Sequence, residues 1–202
     1  MTGIAKKMWL LAVALPLAGW SATASAGNFM PTGGRATQPV GHYEFCQREP
    51  QQCRQVTARH APVELSRKLW AAMVEVNDQV NAQVSPRTDM EMWGREEFWS
   101  YPDGFGDCED YVLEKRRELM KLGIPAGDLL ITVVRQPNGD GHAVLTVRTG
   151  QGDYVLDNLE PRVLAWSDTE YTYLKRQSDR NSGAWVTIND GRAIAVGSVA
   201  SR

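Results

Sequence analysis

Three residues far apart in the chain have side chains that together could carry out acyl transfer: Cys108, His142 and Asp157. Cys108 stands at the expected start of a helix, where free backbone N–H groups and the macrodipole favour an anion. That draws a thiol toward the nucleophilic thiolate. The same amides could hold the oxyanion formed when a carbonyl is attacked. His142 opens an expected strand just after a Gly-rich turn, and Asp157 closes the next one. If those strands pair as a hairpin, the carboxylate comes near the imidazole at one end. There it can fix the tautomer while the other ring nitrogen faces the sulfur. Nucleophile, base and orienting acid then sit on three elements, a complete set for acyl transfer. Each also has a plainer reading: a packed cysteine, an exposed turn histidine, an aspartate capping a turn. His42 and His60 lie in a stretch that reads as irregular and compete poorly for the role of base.

Asp107, Glu109 and Asp110 crowd the cysteine. Acids in the first turn of a helix ordinarily complement its dipole. Beside a thiolate, however, three carboxylates raise the thiol pKa and oppose the helix end. A bound hard cation would neutralise them, and an all-oxygen donor set suits calcium better than zinc.

Helices and then strands must position these groups. Leu65, Leu69, Met73, Val76 and Val80 recur at helical spacing, with Pro62 near the first turn and Ser85-Pro86 as a stop. Residues 87–106 mix aromatics with Gly and Pro, which suits a packed loop; Trp93 and Trp99 there could line a cleft or simply fill the core. The next helix starts near Asp107 and ends at Gly123-Ile124-Pro125, with basic residues toward its C-terminal half. Strand patterns follow at Leu129–Arg135, His142–Arg148 and Tyr154–Leu156, joined by Gly-rich turns, and a further one at Trp185–Ile188. Helices first and an antiparallel sheet afterwards indicate an α+β fold.

The chain has 202 residues, a formal net charge of −2 and 43% hydrophobic residues. With a pI of about 5.9 it lacks the basic footprint of a nucleic-acid binder, and its core content excludes a disordered chain. Residues 1–26 read as an export signal: Lys6 and Lys7, the apolar run Met8–Trp20, then Ala24-Ser25-Ala26. The run is shorter than the about 20 residues that a permanent membrane span needs. Residues 27–61, rich in Gly, Pro, Thr and Gln, read as an irregular N-terminal arm, and 62–202 as one domain. Export permits a bridge between Cys46 and Cys53, preferred here to two free thiols, and their spacing is too wide for a zinc knuckle. Cys108 is left without a partner.

The block FGDCEDYVLEKRRELMKLGIP, followed by LLITVV, GHAVLTVRT and YVLDNL, resembles the bacterial transglutaminase-like cysteine peptidases. That exported family includes the LapG-type periplasmic proteases, and the likeness runs from about Phe29 to Ile188. It implies a papain-like, transglutaminase-like core, with a nucleophile helix packed on an antiparallel β-sheet. It also implies Cys108 as nucleophile, His142 as general base and Asp157 as the residue orienting that histidine. Asp107, Glu109 and Asp110 match the acidic environment that binds calcium in LapG-type members. The resemblance further implies a periplasmic location and a protein substrate, in those members a large surface adhesin cut near its N-terminus. An inner-membrane receptor that sequesters the enzyme belongs to the same picture. Two rivals share the scaffold: a transglutaminase or amidase acting on the cell envelope, and a non-catalytic periplasmic binding module.

Overall fold

The computed structural model describes residues 28–58 and 61–191; the expected export signal at 1–26, His60 and residues beyond 191 lie outside them. In chain order the elements are β1 (Thr32–Ala36), α1 (Val40–Arg48), α2 (Pro50–Cys53), α3 (Arg67–Gln83), β2 (Ser85–Pro86), α4 (Asp89–Trp93), β3 (Phe105–Gly106) and α5 (Cys108–Lys121). The strands β4 (Leu129–Arg135), β5 (Gly141–Thr149), β6 (Gly152–Leu156), β7 (Leu164–Ala165), β8 (Thr172–Gln177) and β9 (Trp185–Ile188) complete them. Seven strands make one antiparallel sheet in the order β1-β9-β8-β4-β5-β6-β7, and β2 pairs with β3 in parallel. Among the described residues no helix is long and apolar enough to cross a membrane.

The central strands are rich in β-branched residues because both of their faces are covered. Leu129, Ile131, Ala143, Leu145, Val147 and Leu156 join the core built with α3 and α5. Val134, Val144 and Val155 join a smaller cluster with Met30, Trp166, Tyr173 and Ile188. On the helical side α3 contributes Leu69, Met73, Val76 and Val80, its start capped by Ser66 Oγ, which accepts from the Leu69 N–H at 3.1 Å. Ser85-Pro86 stops that helix by becoming β2. Its pairing with β3 ties the end of α3 to the two residues that lead into Asp107 and Cys108. The start of α5 is therefore fixed from both directions along the chain.

Three stretches differ from the sequence-based expectation. Residues 27–61 are not an irregular arm within the described part: β1 is an edge strand on β9, and α1 and α2 pack with Phe45 and His42 buried. TGGRA has no alternation of its own, and α1 carries Gly41 in its first turn, so tertiary pairing rather than propensity forms both elements. The 87–106 loop contains α4, held by a capping box in which Thr88 and Glu91 exchange hydrogen bonds. The strand β8 (TYLKRQ) hides behind basic residues. Arg176 turns inward onto Asp153 at 3.1 Å, which makes burial of its charge tolerable. The Cys46–Cys53 bridge is formed and links α1 to α2.

One glycine in this N-terminal segment is required by close approach. A Cβ on Gly41 would lie 2.4 Å from Trp99 Cδ1 and 2.8 Å from the Glu97 carbonyl oxygen. Gly41→Ala should therefore destabilise the fold by about 1–3 kcal/mol, read from the urea midpoint. An unchanged midpoint would mean that Trp99 yields freely.

Candidate active site

Cys108 is the first residue of α5, with Asp107 at the N-cap, and it is partly exposed. The body of α5 lies on β4 and β5, and the backbone N–H of Ala143 on β5 donates to the sulfur. That bond and the helix end both favour a thiolate. Stronger influences oppose them. Burial pushes the thiol up first, then the Glu109 carboxylate, whose Oε2 accepts the thiol proton across 3.0 Å, and then Asp107. The net result lies well above the ordinary cysteine value. As the side chains stand, Cys108 is a protonated thiol held by Glu109.

His142 and Asp157 are both buried, and Nε2 of the imidazole lies 2.8 Å from Asp157 Oδ1. Antiparallel pairing of β5 with β6, Leu145 opposite Leu156, sets this contact: His142 precedes the paired region on one strand, and Asp157 follows it on the other. Burial raises the Asp157 carboxyl, but hydrogen bonds from His142, the Leu159 N–H (3.0 Å) and the Tyr171 hydroxyl (2.5 Å) outweigh it. The carboxyl is held below its usual range. Tyr171, raised by burial and then by Asp157, stays a hydroxyl donor. Its position in YTYL gave no sign of this role, because alternation marks a strand approach and not the partner of a side chain. With Nε2 committed to Asp157, Nδ1 is the imidazole nitrogen left for chemistry.

Cys108 and His142 line one cleft of about 380 Å³, with Pro39, Trp99, Glu109 and Lys175 among its walls. Ala143, the neighbour of His142, is the residue whose amide reaches the sulfur, so the strand delivers base and sulfur contact side by side. Of Trp93 and Trp99, it is Trp99 that lies at the cleft, its indole N–H donating to Glu97 Oε2 at 3.1 Å. Trp93 is half exposed and packs on Phe98, with ring centroids 4.9 Å apart. Behind Trp99 lies the His42 ring, 5.4 Å away, with Nδ1 accepting from the Trp185 indole N–H at 3.2 Å. Burial and then the Arg116 charge push His42 down to about 3, so it is a neutral core histidine and no base. What removes His42 as a rival base is burial within α1, not an irregular loop position.

The acids arrange themselves differently from the expectation. Carboxylate oxygens of Asp89, Asp107 and Glu109 lie within 4.8 Å of one another. Asp110 is outside that group, its Oδ1 accepting the Ser100 N–H at 2.7 Å, because the helical turn carries it round to the 98–101 segment. Asp89 takes its place, brought in at the start of α4, with its N–H donating to Asp107 Oδ2 at 3.2 Å. Its signal in the sequence, Thr88 followed by acids, reads only as a helix cap. Burial, ahead of mutual repulsion, raises Glu109 to about 9 and Asp110 to about 8, and raises Asp107 as well; burial raises Asp89 against the Phe98 N–H and the Arg95 and Arg48 charges. Oδ1 of Asp89 and Oδ1 of Asp107 are buried without a hydrogen-bond partner. Buried, unpaired, oxygen-only donors converging in this way fit a hard divalent cation such as calcium.

Residues 32–193 match the family of bacterial transglutaminase-like cysteine proteinases, BTLCP. No curated protein matches the chain. Among solved structures, calcium-bound LapG of Legionella pneumophila is 25% identical with a TM-score of 0.48, covering 56% of this chain and 66% of that one. The EGTA-treated form of the same protein is 26% identical with a TM-score of 0.48, covering 56% and 64%. The chain thus spans about two thirds of the length of those LapG chains. With a family match over most of its length, and a helix-start cysteine sharing a cleft with a carboxylate-bound histidine, this chain belongs to the bacterial transglutaminase-like cysteine proteinases.

Proposed function

We propose that this chain is an exported, periplasmic cysteine endopeptidase with Cys108 as nucleophile, His142 as general base and Asp157 as the residue orienting it. The observation that carries the reading is the pairing of two contacts on β5. His142 is bonded to Asp157, and the next residue, Ala143, gives its N–H to the Cys108 sulfur. His142 takes the thiol proton through Nδ1, and the sulfur attacks a backbone carbonyl of the substrate. Backbone N–H groups at the start of α5 stabilise the oxyanion, and the imidazolium protonates the leaving amine. Water then hydrolyses the thioester. Tyr171 and the Leu159 N–H keep Asp157 ionised and in place while His142 carries charge.

Calcium held by Asp89, Asp107 and Glu109 belongs to the same proposal. When bound, it would supply positive charge to carboxylates that otherwise burden the thiol. The substrate we propose is a protein at the cell surface, a large adhesin by analogy with LapG-type members, with an inner-membrane receptor as a regulatory partner. A Cys108→Ala chain should fold with an unchanged thermal midpoint yet release no surface protein when cells carrying it are compared with wild type by proteomics. Release undiminished in that variant would remove Cys108 from the chemistry.

The acids also give a signed pH dependence. Glu109 and Asp110, at about 9 and about 8, keep protons in the folded chain that the unfolded chain gives up near pH 4 to 5. Their contribution to stability is therefore present at low pH and is lost as pH rises toward 8 and 9. Calcium, which Glu109 would help hold and Asp110 would not, should restore the Glu109 share, so the rise in thermal midpoint on replacing EGTA with calcium should be several degrees larger at pH 8 than at pH 5. An equal rise at both pH values, or none, would count against a cation at these carboxylates.

A further inference from the structure

Phe98 and Ser100 flank Trp99, the tryptophan that walls the cleft, and the backbone N–H of each ends on a carboxylate. The Phe98 N–H donates to Asp89 Oδ2, and the Ser100 N–H donates to Asp110 Oδ1 at 2.7 Å. Between them the Trp99 carbonyl accepts Nη2 of Arg48, from α1, at 2.6 Å. Asp89, Asp110 and Trp99 are all buried. Backbone groups withdrawn from water need partners, and these three find them in side chains rather than in a helix or sheet ladder. Just before them stands Glu97, which also lines the cleft. Its φ of 56° makes it the one non-glycine residue in the left-handed region among the described residues. Such a conformation persists only where the surroundings over-determine it.

The two carboxylates that hold this wall differ in one respect. Asp110 lies outside the group of converging acids, whereas Asp89 belongs to it together with Asp107 and Glu109. Asp89 gives Oδ2 to the Phe98 N–H, and its Oδ1 is buried with no hydrogen-bond partner. Its own N–H donates to Asp107 Oδ2 at 3.2 Å, which fixes the start of α4 against the N-cap of α5. One carboxylate therefore serves the acid group with one oxygen and the cleft wall with the other. A hydrogen bond to a ligating carboxylate orients the ligand, and a bound cation in turn fixes the carboxylate that accepts the bond.

We propose that Asp89 is a positioning residue that joins the cation site to the substrate cleft. With calcium on Asp89, Asp107 and Glu109, the Asp89 carboxylate holds the Phe98 N–H and keeps Trp99 at the wall. This rests on reading those acids as a calcium site. Calcium then acts on the side of the site that receives the substrate chain as well as on the thiol. Asp110 anchors Ser100 in the same wall without belonging to the cation group.

Amide hydrogen exchange followed by NMR in the full chain, in calcium and in EGTA, tests the proposal without reference to proteolysis. Calcium should slow exchange of the Phe98 N–H by about tenfold or more and that of the Ser100 N–H clearly less. It should also shift the Trp99 indole N–H resonance, identified with Trp99→Phe. Asp89→Asn keeps an oxygen for the Phe98 N–H but brings no charge to a cation. Its Phe98 N–H should exchange as in wild type with EGTA, whether or not calcium is present. Asp89→Ala offers no acceptor and should exchange that amide faster still. If neither variant folds, Asp107→Asn decides: it leaves the Phe98 contact in place and should abolish the calcium response at Phe98 and Trp99. A thermal midpoint raised by calcium, with Phe98 and Trp99 unmoved, would overturn the proposal and leave the cation reading standing. Equal slowing at Phe98 and Ser100 would mean general stabilisation and would overturn it too. A midpoint indifferent to calcium would sink the cation reading itself, and the proposal with it.

Discussion

The bond between His142 and Asp157 depends on the register of β5 against β6, and the site in turn depends on that bond. With Leu145 opposite Leu156, the residues just outside the paired region fall together at one end of the sheet. Shifting the register by one residue would move every side chain of β6 to the opposite face, and the same register buries Val155 and Leu156 in the two cores. Packing on both faces of the sheet therefore fixes the geometry of an imidazole and a carboxylate that contribute nothing to the core themselves. Tyr171 and the Leu159 N–H complete the arrangement, the hydroxyl donating to Asp157 Oδ2 and the amide to the Oδ1 that meets His142.

The helix start works against a different constraint. Its free amides and the Ala143 N–H favour a thiolate, whereas burial, Glu109 and Asp107 favour the thiol, and the second group prevails. Glu109 is the pivot, because one carboxylate both accepts the Cys108 proton and shares space with Asp89 and Asp107. A nucleophile placed beside two buried acids and a half-buried one is an unfavourable choice unless the acids have another task. The unpaired oxygens of Asp89 and Asp107 suit the task proposed above, holding a cation next to the sulfur.

Much of this was legible in the chain. LLITVVR, HAVLTVR and the DCEDYVLEKRRELMKL helix follow the periods that burial imposes, so the elements bearing Cys108, His142 and Asp157 could be placed from spacing. What escaped had no local signature. TGGRA becomes a strand because β9 offers it an edge, α1 forms around a glycine admitted by Trp99, and β8 conceals a buried Arg176. At the site, Asp89 reads locally as a capping acid and Tyr171 as a strand residue. Asp110 seemed as good a ligand as its neighbours until the helical turn separated it from them. In each case a long-range partner, invisible to a local window, decided the outcome.

The proposed dependence of the Cys108 sulfur on the His142 imidazole can be probed directly. The measurement is the rate at which iodoacetamide alkylates Cys108 at neutral pH in calcium, followed by mass spectrometry of the modified peptide, for wild type and His142→Ala. Cys108 is the one cysteine outside the bridge, so the label reports on it alone. The account predicts rapid alkylation of the wild type and a rate at least about ten times lower in His142→Ala, as removal of an activating base requires. Equal rates in two folded proteins would contradict it, because the imidazole would then have no hold on the sulfur.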